Sequence, residues 1–167
     1  MRTHTILLAI NDRDDEELVL LALNDAIVDA DIVTVNNGEA AVDFFVEKAV
    51  GRRPASCDLM LLDLALPKLD GLRVLRQLRW LHRSDVSELP PIVILSDSAD
   101  QDLVTEAYRH GADGFLCKAT SYSRFAESVQ QTIRYWLAAS LHPSLHRRTI
   151  AQLASFDGVP MEAKVAL

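Results

Sequence analysis

Leu59-Met60-Leu61-Leu62-Asp63 is an unbroken apolar run stopped by a carboxylate, and Leu64-Ala65-Leu66-Pro67-Lys68-Leu69-Asp70-Gly71 follows it. An apolar run this short, without polar alternation, suits a strand covered on both faces, as in a parallel sheet. Pro67 and Gly71 mark a loop after it. Leu72, Leu75, Leu78 and Leu81 then recur every three residues and predict a helix over 72–82. Strand, loop and helix in this order make one α/β unit, with Asp63 at the strand's carboxyl end.

The same unit repeats on either side. Toward the N-terminus, Thr5–Ile10 (TILLAI) is a second apolar run, closed by the polar cluster Asn11-Asp12-Arg13-Asp14-Asp15. Residues 16–30 read as a helix, 31–35 as a strand, Asn36-Asn37-Gly38 as a turn and 39–50 as a helix broken at Gly51-Arg52-Arg53-Pro54. Toward the C-terminus, Pro90-Pro91 introduces a strand over 92–95, followed by a helix over 100–110 with Gly111 at its C-cap. A strand over 114–117 and a long helix over 123–139, stopped near His142-Pro143, complete the series. Five strands alternating with five helices predict an α/β, doubly wound, five-stranded parallel sheet. Residues 1–143 are expected to form the domain and 144–167 an extension too short to be a second one, with a short amphipathic helix over 149–156.

Composition narrows the function classes. A chain of 167 residues, nearly half of them apolar, suits one domain with a real core. A net charge of −7 disfavours nucleic acid as a general partner, because phosphate contacts need clustered Lys and Arg. No apolar run approaches the ~20 residues that span a bilayer, and the first residues carry no signal-peptide pattern. The expectation is a cytoplasmic protein with no membrane contact. Cys57 and Cys117 are expected at opposite ends of the sheet, too far apart to bridge, and so to remain thiols. Of the five histidines only His142 and His146 have a ligand-type spacing, and Pro143 spoils it, so no metal is assigned to them.

In open parallel sheets the site lies beyond the carboxyl ends of the strands. Those ends carry Asn11 and Asp12, Asp63, Ser96 and Lys118. A carboxylate, a hydroxyl and an ammonium converging there suit a phosphoryl acceptor: the carboxylate attacks phosphorus, and the other two bind the phosphoryl oxygens. No base–nucleophile pair for an external substrate is visible, so an enzyme is not expected.

The segments LMLLDLALPKLDGLRVLRQLR around Asp63, PIVILSDS around Ser96 and GADGFLCKAT around Lys118 resemble the response-regulator receiver domains of two-component signalling. The GEAAVDFF helix, the long segment before the third strand and RYWLAASLHP make the chain similar to the single-domain regulators that pair with phytochrome-type histidine kinases. The resemblance covers residues 5–143. It implies a flavodoxin-like sheet with strand order 2-1-3-4-5, Asp63 as phosphoacceptor, Ser96 as switch hydroxyl, Phe115 as switch aromatic, Lys118 as the phosphate-pairing lysine, and the Ala65 backbone carbonyl as a metal ligand. It also implies a histidine-kinase partner, a downstream protein partner, and a homodimer formed through the last strand and helix, where Tyr135 and Trp136 read either as interface or as core.

Two departures from the family pattern stand out. An acidic pair is expected at the end of the first strand, where this chain has Ile10 and Asn11. Ile10 cannot bind a metal, and Asn11 offers only a neutral oxygen. Asp12, one position on, can substitute only if the strand end is shifted. Magnesium prefers one or two carboxylates beside phosphate oxygens, so its binding at Asp63, Asp12 and Asn11 is expected to be weak or absent, leaving Lys118 to pair with Asp63 directly. The second departure is Ala119, where the family carries proline. Two readings therefore stand side by side: a phosphoacceptor relaying a kinase signal through protein contacts, and a phosphorylation-independent, dimeric interaction module. Asp97 reads as a solvated loop carboxylate, and Arg73, Arg76, Arg79 and Arg83 as a solvated helix face.

Overall fold

The computed structural model describes residues 3–26, 29–52, 57–84, 89–118 and 121–141, the last three by backbone alone. Its elements are β1 (His4–Ala9), α1 (Arg13–Asp25), β2 (Ala30–Val35), α2 (Gly38–Ala49), β3 (Leu59–Asp63), α3 (Gly71–Arg83), β4 (Ile92–Ser96), α4 (Gln101–Arg109), β5 (Gly114–Cys117) and α5 (Tyr122–Leu141). All neighbouring strands pair in parallel, in the order β2-β1-β3-β4-β5. This is the α/β sheet expected from the alternating runs. The 144–167 extension, the 149–156 helix and Ala119 lie outside the described residues.

Period-two alternation divides the core into two layers. Ile6, Leu8 and Ile10 of the first strand segment, Leu59 and Leu61, Val93 and Leu95, and Leu116 face α1 and α5. Leu7, Ala9, Met60, Leu62, Ile92, Ile94 and Phe115 face α2, α3 and α4. β1, β3 and β4 are buried on both faces, which explains their continuous apolar sequence. Asp63 shares the parity of Leu59 and Leu61, so it emerges on the α1/α5 side; Lys118, two beyond Leu116, emerges on the same side. Ser96 shares the parity of Ile92 and Ile94, on the opposite side.

Side-chain caps start four helices. Asp12, Asn37, Asp70 and Asp100 each accept backbone N–H groups from the first turn of α1, α2, α3 and α4, a contact worth about 1 kcal/mol each. The first of these shifts a boundary. The helix expected over 16–30 begins at Arg13, because the Asp12 carboxylate accepts from the N–H groups of Asp14 and Asp15 at 2.9 and 3.0 Å. It ends at Asp25, short of β2.

Two glycines fasten the loop between β3 and α3. A Cβ on Gly71 would lie 2.4 Å from the Asp63 carbonyl oxygen, and one on Gly38 would lie 1.9 Å from the Leu69 carbonyl oxygen. The Gly38 N–H donates to the Pro67 carbonyl at 3.2 Å, and the Gly71 N–H to the Leu64 carbonyl at 3.1 Å. Within this loop Lys68 adopts a left-handed φ of 65°, which is uncommon for a residue with a side chain.

Candidate functional site

Asp63 closes β3 and is almost wholly buried, 2 % exposed. One carboxylate oxygen, Oδ1, accepts the Ala65 backbone N–H at 2.8 Å. The other, Oδ2, accepts from Lys118 Nζ at 2.8 Å. Lys118 is carried to this point by β5, and its own N–H donates to the Ser96 carbonyl at 2.7 Å, which fixes the strand end to β4.

A third group joins them. Lys118 Nζ also donates to Asp15 Oδ2 at 2.7 Å, and Asp97 Oδ1 lies 3.5 Å away on the exposed side. Asp15 sits in the first turn of α1, on the face of the sheet that Asp63 and Lys118 share. Burial lowers the affinity of Lys118 for its proton, but the hydrogen bonds to Asp15 and Asp63 outweigh that and hold its ammonium above the ordinary lysine range. The lysine is therefore a fixed positive charge among three carboxylates.

The residues expected from the sequence divide accordingly. Asp63 and Lys118 meet. Ser96 is buried at the end of β4, where its hydroxyl accepts the Ser98 N–H at 3.2 Å. Phe115 is packed into the layer under α2, α3 and α4. Ile10 is buried in the opposite layer, with α1 and α5. Asn11 is exposed. Asp12 does not replace the missing acid: it is an exposed N-cap, its Oδ1 engaged by two N–H groups of its own helix. Asp15 was not singled out by the sequence reading. The signal was the spacing Asp12-x-x-Asp15, in which an N-cap places the residue three further on in the first turn.

A magnesium ion, which this kind of site implies, does not fit these residues well. Among the described residues no three His, Cys, Asp or Glu side chains are grouped so as to hold a metal. The side chain at Ile10 is a core hydrocarbon, and the Lys118 ammonium already stands between Asp15 and Asp63.

A family model described as the response regulator receiver domain matches residues 13–130. The chain belongs to the response regulator receiver family. It is 28% identical over 139 residues to the response regulator Rcp1 of Synechocystis sp., covering 83% of this chain and 92% of Rcp1. Among solved structures, the phosphorylated cyanobacterial phytochrome response regulator RcpA superposes with a TM-score of 0.71 at 27% identity, over 83% of this chain and 96% of that one. The Mn(2+)-bound form of Rcp1 superposes with a TM-score of 0.67 at 28% identity, over 80% and 94% of the two chains. This receiver thus resembles regulators solved with a phosphoryl group and with a metal, while its own first strand is followed directly by Ile10.

The last helix separates two neighbours. Trp136 is 6 % exposed and packs in the layer shared by α1 and α5, whereas Tyr135 is 38 % exposed, and their rings meet edge-on at 5.0 Å. Of its two readings Trp136 takes that of a core residue, with little surface to offer. Tyr135 alone of the two remains a surface candidate. Among the described residues no helix is long and apolar enough to cross a membrane.

Proposed function

We propose that this receiver accepts a phosphoryl group on Asp63 from a histidine kinase and passes the signal on through protein contacts. The observation that carries the proposal is the Lys118 ammonium, 2.8 Å from the buried Asp63 carboxylate at the carboxyl edge of the sheet. In the transfer, an Asp63 oxygen forms a bond to phosphorus as the phosphorus–nitrogen bond to the kinase histidine breaks, and the leaving imidazole takes up a proton. Lys118 then pairs with a phosphoryl oxygen. Ser96 is the hydroxyl that turns to the phosphoryl group, and Phe115 is the ring that moves with it. Similarity to Rcp1 and RcpA supports a phytochrome-type kinase as the donor. The Ala65 carbonyl and the Asn11 side chain offer only neutral oxygens, and Lys118 already holds the Asp15 and Asp63 carboxylates, which together support weak magnesium binding. Incubation with acetyl phosphate, read by intact mass, tests the proposal: an adduct of about 80 Da (one phosphoryl group) is expected for the native chain and absent for Asp63→Asn. Absence of the adduct in both overturns it.

A second reading rests on Ile10 and Asp15. With a hydrocarbon at the usual acid position and Asp15 already neutralising Lys118, the domain would act as a phosphorylation-independent interaction module, dimerising through the α5 surface around Tyr135. Calorimetric titration with magnesium separates the two readings. Tight binding that Asp63→Asn abolishes defeats the second. Equal sedimentation of the native chain and Tyr135→Glu removes its proposed interface.

A further inference from the structure

Arg73, Arg76, Trp80 and Arg83 follow one another on α3 at intervals of three, four and three residues. On a helix this spacing makes a single heptad-type stripe, about 15 Å long. The buried residues of α3 (Gly71, Val74, Leu75 and Leu78) form a separate stripe against the sheet. The outward stripe therefore has no part in the core. With Arg109 and His110 from the end of α4 it borders a groove of about 560 Å³.

Arg79 builds the wall of this groove. Its Nε donates to the Gly111 carbonyl at 2.9 Å and its Nη2 to Asp113 at 2.7 Å, with a further Nη2 contact to the Gly111 carbonyl. Asp113 also accepts the Ile92 N–H at 2.8 Å. These bonds tie α3 to the start of β4 and β5, at the opposite end of the sheet from Asp63. This wall of the groove is thus fastened by hydrogen bonds that need no ligand, and a pre-formed site lowers the entropy cost of binding.

His110 lies 3.7 Å from Glu106, but the other arginines of the groove are little engaged by the described residues. Arg76, Arg83 and Arg109 make no ion pair with any described residue, and Arg73 has only a 3.9 Å approach to Asp70 in an exposed position. Trp80, the largest side chain in the groove, is 66 % exposed. A cluster of arginines around a solvated indole stands out on a chain whose net charge is −7. Arginine and tryptophan are the side chains most enriched among energetically dominant interface contacts.

We propose that the α3/α4 groove docks an acidic helical segment of a partner protein. Carboxylates spaced three or four and seven residues apart on such a segment meet Arg76 and Arg83, while an apolar side chain between them covers Trp80. The chain's own residues 142–167 are a poor occupant: Arg147, Arg148 and Lys164 against Asp157 and Glu162 give 3 − 2 = +1. A long polyanion such as nucleic acid meets the repulsion of the whole chain, whereas a short acidic helix samples only the local positive field. The proposal stands whether or not Asp63 is phosphorylated.

Fluorescence anisotropy of the full chain tests it. The probe is a labelled peptide of about two heptads carrying glutamates at i, i+3 and i+7 around a leucine. Controls are a scrambled peptide of the same composition and a single-stranded oligodeoxynucleotide of equal charge. The patterned peptide is expected to bind best and to weaken at raised salt. Affinity should fall by roughly ten-fold or more in the Arg76→Glu, Arg83→Glu double variant, since reversed charges repel, and by several-fold in Trp80→Ala. Far-UV circular dichroism should be unchanged in both variants. Absence of peptide binding, equal binding of the scrambled peptide, unaltered affinity in the variants, or tighter binding of the oligonucleotide each overturns the proposal. So does salt-sensitive self-association of the native chain that the double variant abolishes, because the occupant would then be a second copy.

Discussion

The Lys118 ammonium and the Asp15 carboxylate meet at 2.7 Å, joining the end of β5 to the first turn of α1. The same ammonium holds Asp63 at 2.8 Å. One lysine thus answers a helix and a strand, and it does so from a side chain only 5 % exposed. Removing it leaves two carboxylates facing each other without a counter-charge. The Lys118→Met variant is expected to lose about 3 kcal/mol of stability, the lower end of the range for breaking a buried pair, because Asp15 is 26 % exposed and keeps part of its hydration. Magnesium should restore part of that loss by entering the vacated position. Urea unfolding with and without magnesium checks this; equal stabilisation of the native chain and the variant would count against the lysine as the resident cation.

Asp15→Asn should act in the opposite sense on the chemistry. Lys118 keeps Asp63 as its charged partner but loses its anchor on α1, so it is freer to follow a phosphoryl oxygen. The expected outcome is several-fold faster modification by acetyl phosphate, with a stability loss of about 1.5 kcal/mol, as for a hydrogen bond to a charged group. The rate of adduct formation by intact mass measures the first, and thermal unfolding the second.

Ile10 is 1 % exposed in the layer under α1 and α5. Ile10→Glu places a carboxylate there, on the same side of the sheet as Asp63. It should cost at least about 2 kcal/mol without metal, the lower bound for burying an unsatisfied polar group, and make the stability magnesium-dependent, since a ligand that binds only the folded state stabilises it. A melting temperature indifferent to magnesium would show that the acid position alone does not make the metal site.

Gly71→Ala forces a methyl group to within 2.4 Å of the Asp63 carbonyl oxygen unless the backbone moves. A loss of about 1–3 kcal/mol is expected, as for other overpacked positions, together with slower acetyl-phosphate uptake. Paired thermal melts and adduct rates measure both; slower uptake at unchanged stability would separate positioning of Asp63 from packing.

Alkaline pH should weaken the fold through two groups. Lys118 is held above its ordinary value of 10.5, so its contribution is complete below that pH and is lost as pH rises through the higher folded value. The Cys57 thiol is pushed up from 9.0 to about 12 by burial, so its neutral form favours folding below pH 9 and that preference is lost as pH rises toward 12. Alkylation by iodoacetamide near neutral pH should therefore be much slower at Cys57 in the folded chain than in urea, and peptide mapping reads the difference.

The strands and their order of appearance were legible because β1, β3 and β4 are continuous apolar runs between turn residues. Asp63 was legible because it closes such a run, and Lys118 because it directly follows the short strand β5. The start of α1 was harder. Asp12, Asp14, Asp15 and Glu16 all suit a helix start, and only the side-chain contacts show that Asp12 is the cap and Asp15 the residue turned to the lysine. Tyr135 and Trp136 are adjacent in sequence yet about 100° apart on the helix, so composition alone could not separate core from surface. Arg79 read as one more solvated arginine because its partners, Gly111 and Asp113, come from a distant turn. Trp80 sits among these arginines in sequence, and only its exposure of 66 % marks it as a surface residue.

Gly38 and Gly71 brace one of two unlike walls of the site. On one side the loop after Asp63 is clasped by α2 and by the start of α3, with backbone against backbone and no side chain between. On the other, Asp97 through Asp100 lie exposed between β4 and α4. On the function proposed above, bulk added at Asp63 is expected to meet fixed backbone on the first side and to find room on the second, toward Ser96 and α4.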